Sequence, residues 1–428
     1  MESIEKKTHE VFGISNTILP DSYVDRGELD EKLQIFLDRK NHIALRGESK
    51  CGKSWIRQNN IPEAIVVQCR FGRKITDIYT DALSQIDIKL TVEESSNNNL
   101  KGSIEASSTI GGKLLAAVGF KTTVEGEQGG QEKRVNVGHD INDLRFVAEL
   151  IKISGRRLVI EDFHYLSVEQ RKYFSADLKA LWDYGCFVII IGVWSQNNML
   201  TSLNPDLTGR IQDISIYWEK EDLEKVIEKG SNALGIRFGD NLVEMLTQNC
   251  YGNVGILQSL LLKTLDEAGI YIQQNPPRMV SDISFFERAA NKYASDLNAR
   301  YLSFAEALSA GMRTRNNNTG IYAHAMAVIV EAEDSKLING LHLDEIYQKA
   351  HSRQPRIIRA NMRTVLKKLE ELQVDDEGRG LVIDYDEAED KIIAVDRQLL
   401  FYRKFLTAKW PWEDMISEIE ESGEELGR

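Results

Sequence analysis

Residues Gly47 to Ser54 read Gly-Glu-Ser-Lys-Cys-Gly-Lys-Ser. This fits G-x-x-x-x-G-K-[ST], a phosphate-binding pattern that needs a strand before it and a helix after it. Both flanks comply. His42-Ile43-Ala44-Leu45 is a short apolar strand, and Trp55-Ile56-Arg57-Gln58 can open a helix. Strand, glycine-rich turn and helix N-terminus aim a row of backbone N–H groups at one point, where the helix dipole adds partial positive charge. Gly47 and Gly52 let the backbone pass close to a bound group. A polyphosphate suits that point: Lys53 would reach the β and γ phosphates, and the Ser54 hydroxyl would ligate Mg²⁺. The expected nucleotide contacts are Gly47, Glu48, Ser49, Lys50, Cys51, Gly52, Lys53, Ser54 and Trp55, with ATP and Mg²⁺ as cofactors. Cys51 either has a thiol activated by the helix N-terminus or points into the core.

A second pattern fits the first. Arg156-Arg157-Leu158-Val159-Ile160-Glu161-Asp162 is an apolar strand running into two acids, a Walker B pattern. Hydrolysis asks for one carboxylate that holds Mg²⁺ and one that polarises the attacking water. Position puts Glu161 in the first role and Asp162 in the second, although Asp is the usual first residue. Cys186 to Trp194 then reads as a fully buried parallel strand ending in Ser195-Gln196. Such a strand can insert between the first two and present a sensing side chain to the γ-phosphate. Ser195 is the first choice and Gln196 the second.

The bulk properties set limits. At 428 residues the chain exceeds one ordinary core, so two or three domains are expected. A net charge of −13 argues against broad, charge-driven nucleic-acid binding while leaving room for a local basic patch. Cys51, Cys69, Cys186 and Cys250 are scattered, which predicts reduced buried thiols and a cytoplasmic setting. No apolar run reaches ~18 residues, so no membrane contact is expected.

Residues 1–218 form the expected α/β core, with Val11, Ile14 and Tyr23 either covering a base or simply packing. Residues 93–139 are loop-like and read as an insertion, with a hairpin or apolar tip over 109–124. It is either a flexible insert or a contact surface through Lys101, Lys113 and Lys121. Helical periodicity marks a lid over 219–275 and a connector over 276–319. Residues 320–406 read as three helices and a two-stranded hairpin, a winged helix-turn-helix, and 407–428 as a frayed acidic tail.

Residues from about Val11 to Asp266 resemble the AAA+ and STAND branches of the P-loop ATPases, with the parallel-sheet core, small helical lid and C-terminal winged helix of initiator-like, transposition and immune-system members. The resemblance implies that Gly47–Ser54 is Walker A, Glu161-Asp162 is Walker B and Ser195 is sensor 1. It places Arg210 at the arginine-finger position, acting on a neighbouring copy in a homo-oligomer. Gly255 falls where many members carry the sensor 2 arginine, so either nucleotide does not close the lid or another residue supplies that charge. The implied activity is a slow ATPase switch acting on a partner protein encoded nearby, or on DNA, in a defence or mobile-element system.

The winged helix carries opposed charges. Arg353, Arg356, Arg359, Arg363 and Lys367 suit phosphate contacts by a recognition helix. The acids from Asp375 to Asp390 around the hairpin would repel a duplex. Protein docking, autoinhibition and DNA binding all remain open on these residues. The alternative reading of the whole chain is therefore an ATP-regulated DNA-binding protein.

Overall fold

The computed structural model of the chain describes residues 5–93, 101–106, 109–117, 133–136, 143–313, 319–373, 381–406 and 409–425. After α1 (Leu29–Asp38), β1 (His42–Gly47) runs into the phosphate loop and α2 (Lys53–Asn60). β2 (Ile65–Gln68) and α3 (Ile75–Ser84) follow, then β3 (Ile88–Glu93), β4 (Lys101–Ala106), α4 (Thr109–Ala117) and β5 (Lys133–Asn136). The α/β alternation resumes with α5 (Leu144–Ile153), β6 (Leu158–Glu161), α6 (Val168–Asp183), β7 (Val188–Gly192), α7 (Met199–Leu203) and β8 (Ile211–Ile216).

The central sheet is parallel, in the order β2-β6-β7-β1-β8. The apolar run at Val188 does insert between the strand of the phosphate loop and the strand of the acid pair. Ile189 is in register with Ile43 on one side and Val159 on the other. Side chains alternate across the strands, which produces two apolar layers. Ala44, Val67, Ile160 and Ile190 face α3, α5 and α6. Ile43, Leu45, Val159 and Ile191 face α1 and α2. Both faces of the sheet are therefore covered, and all the crossovers deliver loops to its C-terminal edge.

The expected insertion has more structure than its composition suggests. β3, β4 and β5 form an antiparallel sheet of their own. Thr109–Ala117 is a helix, not a hairpin, because Leu114 and Leu115 reach the same core as α3 and α5. Gly111 allows this approach: a Cβ there would sit 2.4 Å from the Asp87 carbonyl oxygen. Lys113 is exposed, whereas Lys121 lies outside the described residues.

The remainder is mainly helical. α8 (Lys220–Leu234), β9 (Ile236–Phe238), α9 (Asp240–Asn249), α10 (Val254–Glu267) and β10 (Arg278–Val280) lead into the long α11 (Ile283–Arg313). Then come α12 (Ile321–Glu331), α13 (Asp334–Asn339), β11 (Leu341–His342), α14 (Leu343–Arg353), α15 (Arg359–Gln373), β12 (Ile383–Asp386), β13 (Lys391–Ala394), α16 (Gln398–Phe405) and α17 (Pro411–Glu425). β12 and β13 pair as an antiparallel hairpin, and β11 adds to the β13 edge. One apolar cluster runs from α8 through α11 to α17. Within it Tyr293 packs on Phe401, and Tyr301 on Tyr402. The acidic end is helical rather than frayed. Trp410 and Trp412 stack at 4.9 Å and bury into that cluster, while Pro411 occupies the first helical position, where no N–H is needed. No described helix is long and apolar enough to cross a membrane.

Candidate nucleotide site

The phosphate loop joins β1 to α2 at the C-terminal edge of the sheet. Gly47 is required by packing: a Cβ there would meet Cys51 Sγ at 2.8 Å and the Ile216 carbonyl at 2.9 Å. Gly52 sits at φ 91°, where other residues are strained. Cys51 buries its side chain in the layer beneath the loop, which favours the core reading over a reactive thiol. Two side chains from elsewhere hold its carbonyl. Arg26 Nη2 donates to it at 3.3 Å and Trp218 Nε1 at 2.9 Å, with the guanidinium stacked 4.1 Å above the indole. Lys53 Nζ donates to the carbonyl oxygens of Gly47, at 3.0 Å, and Glu48.

A cavity of about 290 Å³ opens over this loop. One wall is Gly13, Ile14 and Ser15, tied to α2 by a 3.1 Å bond from Trp55 Nε1 to the Ser15 carbonyl. Of the expected base contacts, Ile14 lines the cavity, Val11 is core and Tyr23 bonds to Asp30. The opposite walls come from Asp162 and His164 after β6, and from Gly255 and Gln258 on α10.

The two acids part company. Asp162 adopts φ 57°, which turns it to the cavity wall with Lys53 and Ser54. Burial and the neighbouring Glu161 raise its carboxyl above the usual range, and Lys53 opposes them. Glu161 instead pairs with Arg57 at 3.1 Å, its side chain only 6% exposed. The geometry thus brings Asp162, rather than Glu161, toward Ser54. A hydroxyl and a carboxylate are hard oxygen donors of the kind Mg²⁺ takes, with phosphate and water completing its shell. Ser54 and Asp162 would hold such an ion, and it would supply neutralisation of phosphate charge.

Ser195, Gln196 and Arg210 lie apart from the cavity. Ser195 N–H and Oγ–H both donate to the Asp384 carboxylate on β12, the first at 2.9 Å. Gln196 turns away to Ser202, at 3.5 Å. Arg210 sits next to the start of β1, at the sheet edge opposite the loop, where its carbonyl accepts from His42 N–H at 2.9 Å. Its guanidinium stacks 4.9 Å over Trp182 and donates to the Asp206 carbonyl. Gly255 has a steric reason for lacking a side chain: a Cβ would lie 2.6 Å from Lys50 Cβ. α10 therefore presses directly on the loop. Asn253, its N-cap, donates to the Ser49 carbonyl at 2.8 Å.

The C-terminal hairpin meets the loop from outside. Ser49 N–H donates to the Val395 carbonyl at 3.1 Å, and Arg397 pairs with Glu48 while donating to the Tyr251 carbonyl. Burial pushes the Glu48 carboxyl up to about 7 against the pull of Arg397. Val193, Leu381 and Val395 form a small apolar contact between the two parts. Arg171 on α6 adds a 2.7 Å pair with Glu370 on α15. Asp384, Arg397, Asn253, Arg26 and His164 had no nucleotide-site role assigned from sequence. For His164 alone a local signal existed, two residues beyond the second acid.

The basic residues of α14 and α15 have acidic neighbours. Arg353 pairs with Glu331, Arg359 with Asp344, Arg363 with Asp390 and Lys367 with Glu387. Arg356 donates to the Gln354 side chain at 3.2 Å.

A parallel sheet of this order, with a phosphate loop between β1 and α2, defines the fold of the AAA+-type P-loop ATPases. Among solved structures, the Walker-type ATPase of Pyrococcus abyssi matches with a TM-score of 0.53 and 15% identity, over 90% of this chain and 97% of that one. The chain is also similar to the Aeropyrum pernix ORC1 protein in complex with DNA, with a TM-score of 0.38 and 12% identity over 95% of this chain and 97% of that one. A STAND protein with a tetratricopeptide repeat sensor from Pyrococcus horikoshii matches with a TM-score of 0.37 and 12% identity, over 96% of this chain and 45% of that one. At 15% identity, the likeness to the Pyrococcus abyssi ATPase concerns the fold alone. No family model and no curated protein matches the chain.

Proposed function

We propose that the chain is an ATP-binding and slowly hydrolysing switch of AAA+/STAND type, in which the C-terminal hairpin and ATP compete for the phosphate loop. The observation that carries this reading is the contact made by Asp384, Val395 and Arg397 on Ser195, Ser49 and Glu48. It occupies a loop N–H and the hydroxyl expected to sense the γ-phosphate. ATP phosphates at the loop would need the Ser49 N–H that the Val395 carbonyl now occupies. Undocking would then free residues 320–406 for a partner. In this reading residues 1–218 are the core, 219–275 the lid, 276–319 the connector and 320–406 a winged helix. Asp162 polarises water or holds Mg²⁺ with Ser54, and Arg210 acts on the next copy in a homo-oligomer. The target would be a partner protein encoded nearby, in a cytoplasmic defence or mobile-element system.

The alternative is an ATP-regulated DNA-binding protein. The ion pairs of Arg353, Arg359, Arg363 and Lys367 with acids favour protein docking over DNA. Exposed pairs contribute only ~0–1 kcal/mol each, so phosphates could displace them. A gel shift at two salt concentrations separates the readings, since phosphate contacts weaken steeply with salt. The nucleotide site itself is tested by Lys53→Ala, which should abolish tight ATP binding in a titration. Wild-type affinity in that variant would reject the site.

A further inference from the structure

Ser195 cannot read a γ-phosphate while both its donors are held by Asp384. Another donor belongs to a residue that, unlike Ser195, lines the cavity over the phosphate loop. His164 lies in the short turn Phe163–Tyr165 that follows the acid pair, and it lines the cavity with Lys53, Ser54 and Asp162. The turn is held rigidly. Phe163 is fully buried between Phe174 and Trp194, and Arg171 Nη2 donates to the His164 carbonyl at 2.9 Å.

The ring has a defined tautomer. Val193 N–H, at the end of β7, donates to His164 Nδ1 at 3.3 Å, so Nδ1 carries no proton. A neutral imidazole with an accepting Nδ1 holds its proton on Nε2. Among the described residues no protein acceptor takes that Nε2–H. The strand inserted between β6 and β1 thus fixes a single N–H donor on the cavity wall beside the loop lysine.

We propose that His164 Nε2–H is the donor that contacts the terminal phosphate of the nucleotide. The proposal rests on the ATP-site reading above. It gives the protein a means of distinguishing a triphosphate from a diphosphate that does not depend on Ser195.

Two substitutions separate the two ring nitrogens. In His164→Asn the amide oxygen can replace Nδ1 as the acceptor for Val193 N–H, and nothing replaces Nε2–H. In His164→Gln the amide N–H reaches the Nε2 position. Calorimetric titrations with Mg²⁺–ATPγS and Mg²⁺–ADP should show His164→Asn losing about 10-fold for ATPγS, the scale of one hydrogen bond to a charged group, with ADP unchanged. His164→Gln should keep most of the ATPγS affinity. Imidazole ¹⁵N spectra of the unsubstituted protein should show one Nε2 resonance, absent in His164→Asn, that moves with ATPγS and not with ADP. Equal losses for both nucleotides, or a Gln variant as weak as the Asn variant, would reduce His164 to a structural residue. A resonance indifferent to ATPγS would overturn the proposal even if both variants fold poorly. If the unsubstituted protein binds neither nucleotide, the site reading fails as well.

Discussion

Asp384→Ala tests the docked hairpin most directly. The Asp384 side chain accepts from Ser195 N–H at 2.9 Å and from Ser195 Oγ–H, and the residue is only 9% exposed. Hydrogen bonds to a charged acceptor contribute ~1.5–3 kcal/mol each. Part of that gain is offset, because burial disfavours the carboxylate and raises its pKa. A net loss of about 2 kcal/mol in docking follows, equivalent to a shift of ~30-fold toward the undocked form. Where the docked form predominates, the apparent ATP affinity should rise by up to about the same factor, because a larger fraction is competent to bind. Calorimetry measures the affinity. Hydrogen exchange of peptides covering Ser49, Ser195 and 381–397 measures the undocking, and all should lose protection together. Asp384→Asn, which keeps one acceptor oxygen, should fall between. Unchanged ATP affinity with unchanged exchange at Ser49 and Ser195 would mean that the hairpin is not in competition with nucleotide. A weaker affinity would mean that Asp384 supports the site instead.

Asp162→Asn should bind ATP near normally and turn it over at least ~100-fold more slowly, the usual scale for losing a positioned base. Glu161→Ala should register mainly in chemical denaturation, losing about 3 kcal/mol as the Arg57 charge is left without its buried partner; turnover that survives in the first variant and vanishes in Glu161→Gln would reverse the two roles. Arg210→Ala should bind ATP normally and hydrolyse it poorly, and mixing it with Lys53→Ala should restore some activity if copies share sites. Specific activity independent of protein concentration, without rescue on mixing, would exclude the finger. His42 is buried with Nδ1 accepting from Val188 N–H and Nε2 donating to the Leu178 carbonyl, so burial pushes its pKa down to about 4. The unfolded chain binds that proton first, so this contribution is intact above pH 6.5 and is lost as pH falls toward 4. At pH 5 the loss amounts to about 2 kcal/mol, and His42→Gln should flatten the drop in urea midpoint between pH 7 and 5.

The parts legible in the sequence are those set by short-range chemistry. The eight residues from Gly47 to Ser54 carry their own backbone requirements, and the apolar runs at Leu158 and Val188 state which strands are buried on both faces. Together they imply the parallel sheet and the position of β7 within it, as observed. The helical character of 219–313 follows the apolar period for the same reason, whereas α13 carried no such expectation. Elements whose signal was polar composition were misjudged. The sheet and helix within 93–139, and the helix at the acidic end, exist because a few residues such as Leu115 and Trp412 find a core elsewhere in the chain. The site divides along the same line. Lys53, Ser54 and Asp162 could be named from spacing alone. That Glu161 belongs to Arg57, that Gly255 has no room for a side chain beside Lys50, and that Ser195 is held by Asp384 could not. Each of these joins residues far apart in sequence, up to 189 positions in the last pair. An acid near the chain's end carries no local mark of the hydroxyl it will meet. Only the packing of the C-terminal hairpin onto the sheet edge, a property of the whole tertiary structure, decides which polar groups face each other there.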